Sequence, residues 1–172
     1  MALHDYTFYD LINRNAVCYK DLPAWLEADD RRTMSFGEIK HHVDRLAAGL
    51  QQAGAGKGDR IGVLGKNSLE YFLLYGAASA IGAVLLPINW RLSAEEAVFN
   101  LNDGTPKLLF VDPEYQPLIN AARGRLREGR ESEQQLLLHP GEGLGEDAVR
   151  NEDDREHHER HDREHELEHE RH

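Results

Sequence analysis

Apolar and polar positions alternate in two rhythms between Tyr6 and Asn120, one of period near 3.6 and one of short unbroken runs. Phe8, Leu11 and Ile12 predict a short amphipathic helix over Tyr6–Asn15, capped by Thr7. Ala24–Ala28 and Thr33–Ser35 flank the polar turn Asp29-Asp30-Arg31-Arg32 and predict a small hairpin. Ile39, Val43, Leu46, Ala47 and Leu50 then form a helical stripe within Phe36–Ala53, with Ser35 as N-cap. Ile61–Leu64 reads as a short buried strand, followed by a helix from Leu69 to about Ala80 with Ser68 or Asn67 as cap. Gly82 stops that helix. Val84–Pro87 is expected to be the central strand, closed by Pro87 and the triplet Asn89-Trp90-Arg91. Ser93 and Glu96 match a capping box for a helix with Ala97, Val98 and Leu101 inside, ended by Asn102-Asp103-Gly104. Lys107–Val111 is a third strand and Glu114–Ala122 a last helix. Strands alternating with helices give an α/β fold, a parallel three-layer βαβαβ unit whose ligands belong at the carboxyl ends of the strands.

Beyond about residue 122 the rhythm stops. Residues 1–120 hold 11 basic and 15 acidic side chains, a balance of −4, with all five lysines and every aromatic residue. Residues 121–172 hold 9 and 16, a balance of −7, and Leu136-Leu137-Leu138 is their one apolar run. The chain is therefore divided at 1–122 and 123–172, the second part a Glu/Arg/His-rich tail expected to be disordered or a solvated helix. Such a composition break is also what a shifted reading frame in a GC-rich gene produces, so truncation by frameshift is one expectation. His157, His161, His165 and His169 recur every four residues. On a helix they would share a face, which makes them candidate metal ligands beside the alternative of a solvated charged extension.

The net charge of −11 leaves no basic stripe for nucleic acid. Cys18 alone makes no internal disulfide, which fits a cytoplasmic location. The amino terminus has neither the basic nor the apolar region of a signal peptide. The stretch between Glu70 and Arg91 lacks charge over 20 residues, about a bilayer-spanning length, yet Gly76, Ser79, Gly82, Pro87 and Asn89 break it, so no membrane span is expected.

Two glycine-containing loops suggest phosphate binding. Gly54-Ala55-Gly56-Lys57-Gly58 runs from helix to strand, the reverse of a phosphate-cradling order, and reads as a helix-ending linker. Gly65-Lys66-Asn67-Ser68 has the right order but a single glycine, and reads as a turn with a cap. His41 and His42 are adjacent on a helix, about 100° apart, and are expected to be solvated rather than to share a metal.

Thr33-Met34-Ser35-Phe36-Gly37-Glu38-Ile39, Gly58-Asp59-Arg60-Ile61-Gly62-Val63, Asn67-Ser68-Leu69-Glu70-Tyr71, Gly82–Leu92 and Leu108-Leu109-Phe110-Val111-Asp112 occur in that order. Together they resemble the amino-terminal segment of adenylate-forming (AMP-binding) acid–CoA ligases, the acyl-CoA synthetases, over about residues 5–120. The resemblance implies a larger ligase amino-terminal domain of which this is the first part. It also implies a small-molecule carboxylic acid as substrate, and ATP, Mg2+ and coenzyme A as cofactors of the intact enzyme. Arg91 matches a position from which some relatives contact a phosphate of coenzyme A, and a salt bridge to Glu95 or Glu96 is the alternative. The family's Ser/Thr/Gly-rich loop ending in Pro-Lys-Gly does not occur after Asp112. No catalytic residue is therefore assigned, and the chain is expected to be an inactive piece that self-associates through uncovered apolar surface. The other functional class left open is a non-catalytic α/β module whose acidic, His-rich tail binds a partner or metal.

Overall fold

The structure is a computed structural model and describes residues 6–28, 31–125 and 135–137. Three helices begin with reciprocal capping boxes. In helix α1 (Phe8–Cys18) Thr7 pairs with Asp10, in α2 (Phe36–Gln52) Ser35 pairs with Glu38, and in α4 (Ala94–Gly104) Ser93 pairs with Glu96. Each box satisfies two N–H groups that the helix start would otherwise leave open. Helix α3 (Leu69–Ile81) is capped by Ser68 and ends at Gly82, whose φ of 72° is left-handed backbone that glycine adopts without a Cβ clash. The hairpin forms as strands β1 (Pro23–Leu26) and β2 (Thr33–Ser35). The buried Glu70, at the start of α3, is ion-paired with Arg32 beside β2 at 3.0 Å.

The main sheet is parallel and holds β3 (Arg60–Leu64), β4 (Val84–Ile88), β5 (Leu108–Val111) and β6 (Gln135–Leu137) in the order β4-β3-β5-β6. One expectation is corrected by this order. Among the described residues strand β4 is at the edge, and β3 is the central strand of the first three. Apolar content is similar in both strands, but Pro87 has no N–H for a ladder and is tolerated at an edge. Burial agrees, since Ile61, Val63 and Leu64 of β3 are almost wholly buried whereas Val84 is 54% exposed. A fourth strand also joins the sheet, pairing Leu109 with Gln135 and Val111 with Leu137, within residues 123–172.

Alternating strand residues feed two cores. Ile61, Val63, Leu108 and Phe110 pack with the α1–α3 layer, where Ile39, Val43, Leu46, Ala47 and Leu50 are all buried as the stripe requires. Leu64, Ile88 and Val111 face the other way, onto Leu101 of α4 and onto Tyr115 and Ile119 around helix α5 (Gln116–Ala122). The three-layer α/β expectation is met.

Helix α4 stays helical through Gly104, and Thr105 takes the left-handed cap at φ 46°. A Cβ at position 104 would collide with Leu86 Cδ2, so the glycine serves close approach to β4 rather than the turn. Arg60 holds the strained corner by donating to the Gly104 carbonyl and the Thr105 hydroxyl. The uncharged stretch after Glu70 resolves into α3 and β4, and among the described residues no helix is long and apolar enough to cross a membrane.

Candidate functional site: the carboxyl rim of the sheet

Because β3, β4 and β5 run parallel, the loops that follow them share one rim of the sheet. The first loop is Gly65–Ser68. A Cβ on Gly65 would lie 3.2 Å from Asp112 Cβ, so the loops after β3 and β5 approach closely. Lys66 reaches across this contact and donates to both carboxylate oxygens of Glu114, at 3.0 and 2.7 Å. That hydrogen bond is the main reason the ammonium pKa lies above its ordinary value, and Lys66 is cationic throughout the neutral range.

The second loop is Asn89–Leu92. The Arg91 amide donates to Asn89 Oδ1 at 3.0 Å and the Leu92 amide to the Asn89 carbonyl at 3.2 Å, a tight Asx-type turn directly after the strand. The turn leaves Trp90 half-buried and Arg91 exposed. The Arg91 guanidinium lies over the Trp90 ring, 3.9 Å from its centroid. The salt bridge anticipated from Arg91 to Glu95 or Glu96 is not made. Glu96 is occupied by the Ser93 cap, and Glu95 lies 3.5 Å from Arg125.

The third loop starts at Asp112, whose side chain accepts from the Glu114 amide at 3.0 Å and caps a short 3-10 turn, Pro113–Tyr115. The last helix therefore starts as this turn and becomes α-helical at Gln116. Tyr115 is buried and packs beside Trp90, with centroids 6.1 Å apart. Its hydroxyl is sequestered from solvent without a hydrogen-bond partner among the described residues. Lys66 Nζ stands 5.5 Å from the Trp90 centroid and 5.9 Å from that of Tyr115.

The rim thus holds two cations within cation–π reach of one indole, one neutralised by Glu114 and one stacked and exposed to solvent. Such an arrangement favours an anionic ligand with hydrogen-bond acceptors. Of the residues singled out from the sequence, the structure brings Arg91 and Lys66 together at Trp90. The Gly54–Gly58 segment links α2 to β3 at the opposite rim. The rings of His41 and His42 pack edge to face at 5.8 Å, and no group of three metal-ligating side chains occurs among the described residues. His157, His161, His165 and His169 lie outside the described residues. Sequence reasoning gave no role to Trp90, Glu114 or Tyr115. The available signal was an aromatic residue one or three positions after the Asn or Asp that follows a strand.

A sequence model described as AMP-binding enzyme matches residues 12–171. A long-chain-fatty-acid–CoA ligase of Thermus thermophilus is 33% identical over 129 residues, which is 74% of this chain and 24% of the relative. A fatty acid–[acyl-carrier-protein] ligase, ScoC of Streptomyces coeruleorubidus, is 39% identical over 89 residues, 51% of this chain and 17% of the relative. Among solved structures, the inhibitor-bound N-terminal domain of FACL13 from Mycobacterium tuberculosis superposes with a TM-score of 0.74 at 27% identity, over 84% of this chain and 36% of that one. The chain spans about a quarter or less of the length of these curated relatives.

Proposed function

This chain belongs to the AMP-binding enzyme family, and from that premise we propose that it is a segment of an acid–CoA ligase. Such an enzyme activates a small-molecule carboxylic acid with ATP as an acyl-adenylate and then passes the acyl group to the thiol of coenzyme A. The long-chain and fatty-acid ligases among its relatives support a fatty acid as the substrate class.

The observation that carries the reading is the Arg91–Trp90 stack. An exposed guanidinium, held on a ring and without a carboxylate partner among the described residues, presents its remaining N–H donors to an incoming phosphate. In this proposal Arg91 holds a phosphate of coenzyme A. Asn89 fixes the turn that aims it, and Trp90 keeps the side chain from collapsing onto Glu95. Coenzyme A, when bound, supplies the thiol nucleophile.

ATP and Mg2+ serve the intact enzyme, but the residues described here do not fit them. Adenylation brings a carboxylate up to a triphosphate and needs donors and a metal aimed at the developing charge. Arg91 and Lys66 form no such cage, and the sequence holds no Ser/Thr/Gly-rich run ending in Pro-Lys-Gly after Asp112. We therefore propose that the chain by itself makes no acyl-adenylate, and that its contribution is the scaffold and the acceptor contact. The test is pyrophosphate release from ATP and Mg2+ with fatty, aromatic and short-chain acids and coenzyme A. No acid-dependent release above the protein-free control is expected, with coenzyme A binding retained and weakened by Arg91→Gln. Acid-dependent turnover would overturn the proposed inactivity, and no coenzyme A binding would overturn the assigned contact.

A further inference from the structure

We propose that Lys66 is a second phosphate-binding residue of this rim, held in reserve by Glu114, so that ligand phosphate and Glu114 compete for one ammonium group. The inference rests on the reading of Arg91 as a contact for coenzyme A and extends it to residues that reading leaves out. Lys66 and Arg91 come from different loops, yet both cations sit on the same indole, at 5.5 and 3.9 Å from its centroid. The two cations therefore border one ring, and a ligand with more than one phosphate, such as coenzyme A, can engage both.

The Lys66–Glu114 pair is half-exposed on both sides, 50% and 57%, and ion pairs in that setting are held weakly. Glu114 is also placed to let go. Its backbone is fixed by the Asp112 cap and by the buried Tyr115, so the carboxylate leaves by side-chain rotation alone. While in place it cancels the charge of Lys66 and repels phosphate. Once displaced, it leaves two cations on one ring, and an ammonium–phosphate contact replaces an ammonium–carboxylate contact of the same charge-assisted kind. The rim then behaves as an exchange site rather than as an open basic patch, which disfavours small stray anions that reach only one cation.

The experiment is calorimetric titration of the full chain with coenzyme A at low ionic strength. Glu114→Gln is expected to tighten binding and Lys66→Gln to weaken it, each by roughly two- to fivefold, the range set by exposed ion pairs. The double variant should bind more weakly than Glu114→Gln alone, because the gain in that variant is delivered by the freed Lys66. A folding defect cannot imitate a gain of affinity, so Glu114→Gln is the decisive arm. If Arg91→Gln weakens binding while Glu114→Gln and Lys66→Gln leave it unchanged, the exchange proposal is overturned and the Arg91 contact stands. If the Lys66 and Glu114 variants behave as expected and Arg91→Gln has no effect, the Arg91 contact is overturned instead. No binding of coenzyme A to the wild-type chain overturns both.

Discussion

The two faces of the sheet are built from the same kinds of strand residue but finished to different degrees. The face under α1–α3 is closed. Sixteen buried side chains form one cluster there, and the helical stripe of α2 is sealed along its length. Among the described residues, the face under α4 and α5 holds a smaller cluster of six buried side chains beside the buried Ala97 and Ala122, with Phe99 of α4 70% exposed and Val84 of the edge strand 54% exposed. The rim cluster of Trp90 and Tyr115 joins the second face. The larger core and the proposed ligand contact are therefore divided, the closed face holding the first and the thinner face bordering the second.

The strongest way to break that comparison is to truncate one large side chain on each face. Leu73→Ala on the closed face should cost about 2–5 kcal/mol, since the residue is fully buried and its neighbours are fixed. Phe99→Ala should stay within about 0.5 kcal/mol, because little of that ring leaves water on folding. Urea titration of both variants decides it, and equal losses would mean that the two faces fold as one equally packed unit.

Overpacking gives a smaller contrast. A Cβ at Gly76 of α3 would stand 2.7 Å from Val43 Cγ2 and 2.8 Å from Ile12 Cδ1, both in the sealed cluster, so Gly76→Ala should cost about 1–3 kcal/mol. Gly104→Ala meets only the end of Leu86, a half-buried side chain that can swing aside, and should cost less. A larger midpoint shift for Gly104→Ala than for Gly76→Ala would reverse the ranking of the faces.

Acid titration sharpens the comparison further, because each layer carries a capping box. The Ser35 backbone N–H, and then its hydroxyl, hold Glu38 below the ordinary glutamate value of 4.5, and Ser93 does the same for Glu96. A carboxyl with a lowered folded pKa stabilises the fold fully above that ordinary value and ceases to do so as pH falls through and below it. Thermal melts from pH 6 downward should therefore show an acid loss that shrinks in Glu38→Gln and in Glu96→Gln. An unchanged acid limb in both variants would remove these two boxes as its source.

The smallest effect on stability is expected at the edge of the thinner face, where Val84→Lys should leave the unfolding midpoint nearly unchanged. Charge on an exposed edge strand opposes pairing with another chain, so the same variant should lower any concentration-dependent size increase seen by sizing chromatography. Indistinguishable elution profiles at high concentration would locate self-association elsewhere.

Most of the closed face was legible from residues alone, because a helical stripe such as Ile39–Leu50 and an N-cap such as Ser35 are local patterns. The strand order was not. Ala83–Leu86 reads as buried on its hydrophobicity, and only pairing shows that β4 has β3 on one side and Pro87 suited to an edge. Strand β6 is three residues long, too short for a period, and its stability comes from the ladder with β5. Lys66 and Arg91 could be picked out as cations after strands. Their meeting at Trp90 depends on the parallel register of β3 and β4, which no local pattern encodes. Glu114 and Tyr115 were read as helix, and the Asp112 cap turned them into part of the rim instead.

The chain has two tryptophans, and the fold has placed one on each side of this division. Trp25 lies against Phe72 at 5.1 Å and donates its Nε1–H to Glu27, as part of the closed layer. Trp90 carries Arg91 on its ring with Lys66 nearby. The two indoles are therefore separate intrinsic fluorophores. With Phe at position 90, emission follows the melting of the closed layer. With Phe at position 25, emission follows the charges over Trp90, so the proposed exchange at the rim can be tested optically without attaching a dye.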